Sequence, residues 1–451
     1  MKSQTDTSIE KQSPSPALTT GEYLAVLLPF MFSTVTQPLM GAVNTAVMGQ
    51  MPDPAYIAGV SLGAVLFNTI YWIFGFLRVG TSGYAAQALG TGAWEDKVMS
   101  FCRPLVVALA VSFVIILLQS SILSLFLKLV NPAADVAAIT EQYFTILVWG
   151  APFTLLNYVS LGWLMGQARI KATLIMQISS NVLNMLLCVV FVLSFGWGVA
   201  GAAWSSLIAQ GYGCMVGLWL MHRHGGFSWW QVPYKILFKW RAFKELLSTS
   251  GNLMFRTLCL VTINNLFAAS GAAFGTEVLA ANAVLLQIQY VLSYLLDGMG
   301  NTASLFTGRA VGRRDLGLFN ATLKTSLKWL LIIALILSSS YALFNTWLIA
   351  VFSQSLEVLV ICAEYKNYVI LYPICAGAGL MMYGMYTGAT YTAPVRNMVI
   401  IATAAFIGCR AVLIPWLGNH GLWIAYLSYY ASQSIFLAVF FKQLRRKTGF
   451  A

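Results

Sequence analysis

The chain is predicted to be an all-α integral membrane protein with twelve transmembrane helices, arranged as two six-helix lobes related by a parallel internal repeat. Three observations carry that prediction. Hydrophobic residues fill 59% of the 451 positions against 9% that are charged, and the mean hydropathy is +0.76; no water-soluble core hides that much apolar surface. Weakly charged stretches of about 20 residues recur along the whole chain, the length a helix needs to cross a hydrocarbon layer roughly 30 Å thick. Three short motifs also repeat 222 residues apart.

In chain order, residues 1–21 are polar and rich in Ser, Thr and Pro, and lack the apolar core of a cleavable signal, so a disordered cytoplasmic tail is expected. Spans are predicted at 22–49, 56–86, 104–130, 139–166, 170–195 and 199–221, forming an N-lobe over 22–221. A basic, aromatic segment at 222–246 suits an interfacial cytoplasmic linker. Spans at 247–273, 279–307, 319–352, 364–390, 395–416 and 420–442 form a C-lobe over 247–442, and a basic tail, 443–451, closes the chain. The seven cysteines show no paired metal spacing and read as small buried hydrophobes.

The net charge of +12 is one-sided. Of the 26 basic residues, 21 fall on the amino tail and on the loops and tail of the same side, two (Lys128, Lys366) lie on the other side, and Arg78, Arg256 and Arg410 lie inside spans. The positive-inside rule then places both termini in the cytoplasm and explains the basicity without nucleic acid.

The repeat pairs Gly90 of QALGTGAWED with Gly312 of RAVGRRD, GWLMGQA (162–168) with GMYTGAT (384–390), and the glycines ending TAVMG (Gly49) and FAASG (Gly271). An even number of spans per copy means that both copies enter the membrane in the same direction, the plan of transporters that hold substrate between two lobes.

LPFMFSTVTQPLMGAVNTAVMG in span 1, FLRVGTSGYAAQALG after span 2, LDGMGNTA in span 8 and PWLGNHGLW between spans 11 and 12 resemble the DinF branch of the multidrug and toxic compound extrusion (MATE) transporters, over about residues 22–446. The resemblance implies a V-shaped pair of six-helix bundles in a bacterial inner (plasma) membrane. It also implies export of amphipathic, often cationic small molecules coupled to inward H+ or Na+ flow, with no cofactor. One chain, working as a monomer in the lipid bilayer, is expected to suffice. A lipid-linked precursor flippase of the same superfamily is the alternative, because it shares the two-lobe plan and differs mainly in cavity charge. No nucleophile–base triad or zinc motif supports an enzyme.

Polar residues concentrate on a few helix faces. Span 8 carries Gln287, Tyr290, Tyr294, Asp297 and Asn301 in steps of three and four, hence on one face. Asp297 is the acid placed deepest in a span; it is read either as a substrate- or cation-binding group or as half of a buried ion pair with Arg256 or Arg78. Tyr290 and Tyr294 flank it with rings that attract organic cations. Span 5 presents Gln177, Asn181, Asn184 and Cys188, and span 1 presents Ser33, Gln37 and Asn44; either stripe also reads as interhelical hydrogen-bond glue. By the resemblance, carboxylates of an N-lobe cation site normally stand where Asn44 and Cys188 stand here, while Asn184 and Ser206 match its neutral members. An amide cannot exchange a proton near pH 7, so the usual coupling through that lobe is not expected. Met385, in a Met- and Tyr-rich turn of span 10, reads as an adaptable wall for ligands or as ordinary packing. Arg78, Arg256 and Arg410 outnumber Asp297 within the spans, which keeps an anionic cargo open.

Overall fold

The computed structural model describes residues 18–48, 50–51, 54–225, 237–353 and 355–450, and these give one helical rod for each predicted span. Span 1 is α1 (Thr20–Met48). Span 2 is a broken rod, α2 (Pro54–Phe74) and α3 (Phe76–Thr91), and span 3 another, α4 (Trp94–Leu117) and α5 (Gln119–Val130). Span 4 joins α6 (Ala134–Leu147) to α7 (Ala151–Gly166) through a 3-10 turn, and α8 (Ile170–Val189), prolonged by a π turn, and α9 (Gly198–Gly225) complete the first half. The second half holds α10 (Trp240–Ala272), α11 (Thr276–Arg313), α12 (Leu316–Phe352), α13 (Leu356–Gly388), α14 (Ala393–Leu417) and α15 (Asn419–Val439), then the short α16 (Phe441–Lys447). Among the described residues, ten rods carry a window long and apolar enough to cross a membrane; the remaining two are α1 and α9. The predicted tail up to residue 17, and 226–236 of the predicted linker, lie outside the described residues.

Local chemistry explains several boundaries. Thr19 and Glu22 form a reciprocal capping box, Glu22 N–H to Thr19 Oγ1 at 3.2 Å and Thr19 N–H to Glu22 Oε2 at 3.1 Å, which starts α1. Pro152 has no N–H to give the preceding turn, so span 4 breaks at Val148–Gly150 and restarts with the proline in the first turn of α7. Asp315 accepts from the Leu318 N–H at 2.9 Å and caps α12.

The 222-residue repeat reappears in the packing. A Cβ on Gly162 would stand 2.3 Å from the Arg78 carbonyl oxygen, and one on Gly384 would stand 1.9 Å from that of Gly300; Gly166 faces the Ser82 oxygen as Gly388 faces that of Ser304. In each half, therefore, the fourth rod presses bare backbone onto the second at matched positions. Left-handed residues pair likewise at Gly92 and Arg314, Ala168 and Thr390, and Gly196 and Gly418.

The halves are joined toward the membrane face that carries the termini. There α3 crosses α11 so closely that a Cβ on Gly312 would lie 2.1 Å from the Gln87 carbonyl oxygen, and one on Gly90 would lie 2.5 Å from that of Arg309. Gln87 Nε2 donates across the seam to the Gly388 carbonyl at 3.0 Å and to Thr390 Oγ1 at 3.1 Å. The first helix of each half also leans onto the other half. Tyr23 of α1 stacks on Phe306 at 5.8 Å and donates to Ser326 Oγ at 2.9 Å, while Thr249 of α10 bonds Tyr84, the repeat counterpart of Phe306, at 3.1 Å. At 38 residues, α11 is about 57 Å long, nearly twice the hydrocarbon thickness, so this seam stands at the membrane margin.

Candidate functional site

The stripe on α11 forms one side of the site. Its opposite face, Leu285, Ile288, Leu292, Leu296 and Met299, is buried in the second half, which leaves Tyr290, Tyr294, Asp297 and Asn301 half-buried and Gln287 exposed. Across from the stripe stand two residues of the first half: Tyr158 of α7, within electrostatic reach of Tyr294, and Arg78 in the first turn of α3, within reach of both Tyr158 and Asp297.

Asp297 is acted on by two positive charges, Arg256 of α10 and Arg78. The Arg256 guanidinium lies over the Tyr383 ring, 4.1 Å from its centroid, with Tyr429 and Tyr430 of α15 also in its field. Its Nε is buried and has no hydrogen-bond acceptor among the described residues. The ion pairs found among the described residues are Arg241–Glu245 and His420–Glu364, both away from this centre. The carboxylate and the arginines therefore balance one another at longer range rather than in a direct bridge. Arg410 differs: its Nε donates to Ser270 Oγ at 2.7 Å, which gives it a local structural partner.

A second polar group sits inside the first half. Asn44, near the carboxyl end of α1, donates through Nδ2 to Asn184 Oδ1 on α8 at 3.1 Å, and Asn184 Nδ2 donates to Ser206 Oγ on α9 at 3.0 Å. Asn44 Oδ1 is buried without a hydrogen-bond partner among the described residues. Cys188, one turn beyond Asn184, is fully buried beside Ser205 and Tyr143. The structure thus gathers Asn44, Asn184, Ser206 and Cys188 in one neutral cluster. Asn181 is half-buried on the same helix, and the side chain of Gln37 lies outside the described residues. Met385 is fully buried in the second half, so it presents no surface to a ligand.

Sequence reasoning passed over a third group, the buried amide and tyrosine network of the second half. Asn282 and Asn419 exchange hydrogen bonds of 2.8 and 3.0 Å, Trp423 Nε1 donates to Asn282 Oδ1 at 2.9 Å, and the Tyr426 hydroxyl bonds Gln289 and Asn264. Its signal was present, since Asn282 and Gln289 fall in register with the apolar face of α11 rather than with the polar stripe.

Two six-helix halves that share a repeat and meet around a polar, aromatic centre define a multi-pass membrane transporter of the two-lobe class. The chain belongs to the MatE family: the family model matches residues 29–190 and 253–416, once in each half. It is 30% identical over 429 residues to DNA damage-inducible protein F of Escherichia coli, covering 94% of this chain and 92% of that protein. It is 20% identical to the probable multidrug resistance protein NorM of Bacillus subtilis, covering 94% and 96%. The Vibrio cholerae MATE transporter VcmN in its bent form superposes with a TM-score of 0.84 at 18% identity, covering 95% of this chain and 98% of that one.

Proposed function

We propose that the chain is an efflux transporter that exports amphipathic small molecules from a bacterial cytoplasm by alternating access, with substrate held between the halves against Tyr290, Tyr294 and Asp297. The observation that carries this reading is the half-buried α11 stripe facing Arg78 and Tyr158 of the other half, in a chain whose repeats make the two halves natural rocking bodies. The basic bias of the loops supports cytoplasmic termini, which puts the seam at Gly90 and Gly312 on the cytoplasmic side. The polar centre is built within one chain, which supports a working monomer. The Asn44 cluster contains no carboxylate, so any exchange of H+ or Na+ runs through Asp297.

Crossing the seam with a removable bridge tests the reading. Gln87→Cys with Thr390→Cys, on a cysteine-free background, should join the halves under a short reducible thiol reagent. Uptake of a panel of amphipathic dyes into inside-out vesicles should stop on bridging and return on reduction. Dye uptake that ignores the bridge would overturn alternating access at this seam.

A further inference from the structure

We propose that the centre between the halves selects amphipathic molecules carrying a negative group, a carboxylate or phosphate, and that the membrane potential drives their export. This deepens the exporter reading above and rests on it.

The charges at the centre decide the sign. Two arginines, Arg78 and Arg256, face one acid, Asp297, which leaves one net positive charge, because a guanidinium stays protonated at any physiological pH. The features that would draw an organic cation are already occupied from within. The Tyr383 face holds the Arg256 guanidinium at 4.1 Å, and Asp297 lies in the field of both arginines. A cationic guest would have to displace a tethered cation and then sit near a second one, at a Coulombic cost that grows at a half-buried site.

An anionic guest meets the opposite situation. Arg256 offers a planar fork of donors that matches a carboxylate or phosphate, and its buried Nε has no acceptor among the described residues. Arg410, by contrast, has spent its Nε on Ser270. The half-buried rings of Tyr290 and Tyr294 supply a surface for the apolar body of the same molecule.

The anion also accounts for the neutral cluster at Asn44. Export of a cation from a negative interior runs against the membrane potential and needs an exchanged ion. Export of a monoanion runs with it, gaining about a 50-fold concentration ratio per 100 mV. A transporter of anions can therefore work with an amide and a thiol at Asn44 and Cys188.

The test uses the full chain in liposomes with two probes sharing one pyrene body, one ending in a carboxylate and one in a trimethylammonium group. A potassium diffusion potential, negative inside, is imposed without sodium or pH gradients. The carboxylate probe should leave the liposomes at a rate that rises with the potential, and the ammonium probe should stay. Arg256→Gln should weaken carboxylate binding at least tenfold, Arg256→Lys should weaken it less, and Asp297→Asn should tighten it several-fold. A merely structural role for this trio would weaken binding in all three variants. Movement of the ammonium probe alone would overturn the charge class and leave the exporter standing. Carboxylate efflux that follows a sodium or pH gradient at zero potential would overturn the drive. A third arm, a fluorescent anionic phospholipid, separates a lipid headgroup from a free amphiphile: flipping that depends on Arg256 while the carboxylate probe stays still would overturn the exporter reading and keep the anion site. Folded protein that neither binds nor moves any of the three would overturn both readings.

Discussion

Asn44 differs from an aspartate by one atom, and that atom decides what its cluster can do. Its NH2 donates to Asn184 and no charge is present to be neutralised. Asn44→Asp would set an anion against the Asn184 oxygen, and with Cys188→Asp would place two carboxylates in a buried pocket that must then take up a cation or a proton. The double variant is expected to lose stability in choline buffer and to regain about 2.7 kcal/mol when sodium reaches a hundred times its dissociation constant, read as a sodium-dependent rise in melting temperature. The natural protein should show no such rise; a sodium response abolished by Asn44→Ala would mean that the amide chain is itself a cation site. Asn184 and Cys188 were legible in the sequence because they recur at helical spacing, Asn44 because an amide interrupts an apolar span, and Asp297 because an acid inside a span stands out; Ser206, and the joining of the four into one site, came only through the family resemblance. The Arg256 cage was not legible, since Tyr383, Tyr429 and Tyr430 come from helices whose mutual rotation no linear pattern specifies. The Asn282 network was hidden for a related reason: its partners lie more than 130 residues apart and meet only through packing.

At the scale of helices, the crossing of α3 over α11 depends on what is missing from two side chains. Gly312→Val would drive a methyl-bearing carbon into the Gln87 carbonyl, 2.1 Å from the ideal Cβ, with backbone rather than a flexible side chain as the obstacle. Such overpacking costs about 1–3 kcal/mol. Here it falls on the joined state alone, so spin labels at Thr91 and Arg314 should report a wider separation and a larger share of the state open at this face. Gly251 is the counter-case: its Cβ would meet nothing within 4 Å, and Gly251→Ala should leave the label distance unchanged and raise stability by up to about 1 kcal/mol through helix propensity. All twelve rods were readable as apolar stretches, yet the breaks in spans 2 to 4 were not, because a membrane span stays apolar whether or not its helix is continuous. Only Pro152 announced its break chemically. The overhang of α11 was missed because the amphipathic residues 308–313 continue the helix beyond the apolar window that marks a span.

For the whole molecule, the arrangement of the halves in the membrane is open to direct measurement. A cysteine replacing Thr448 should react only with reagent on the cytoplasmic side, and one replacing Asn131, in the turn between α5 and α6, only with reagent outside; the reverse pattern would invert the topology and with it the direction of export. The exchange of first helices at the seam has a further consequence, for the order in which the protein is made. Tyr23 finds Ser326 only after 303 further residues have been added, which at 5–20 residues per second takes roughly 15–60 s of synthesis. Until then Tyr23, Leu27 and Phe30, all but fully buried in the finished protein, have no second half to rest on. A nascent first half is thus an unfinished surface that holdase chaperones or lipid must cover. Residues 1–225 made alone should be degraded quickly, and co-expression of residues 226–451 should rescue them in proportion to the amount supplied. Rapid, independent accumulation of the first half would show instead that α1 docks elsewhere before it crosses over.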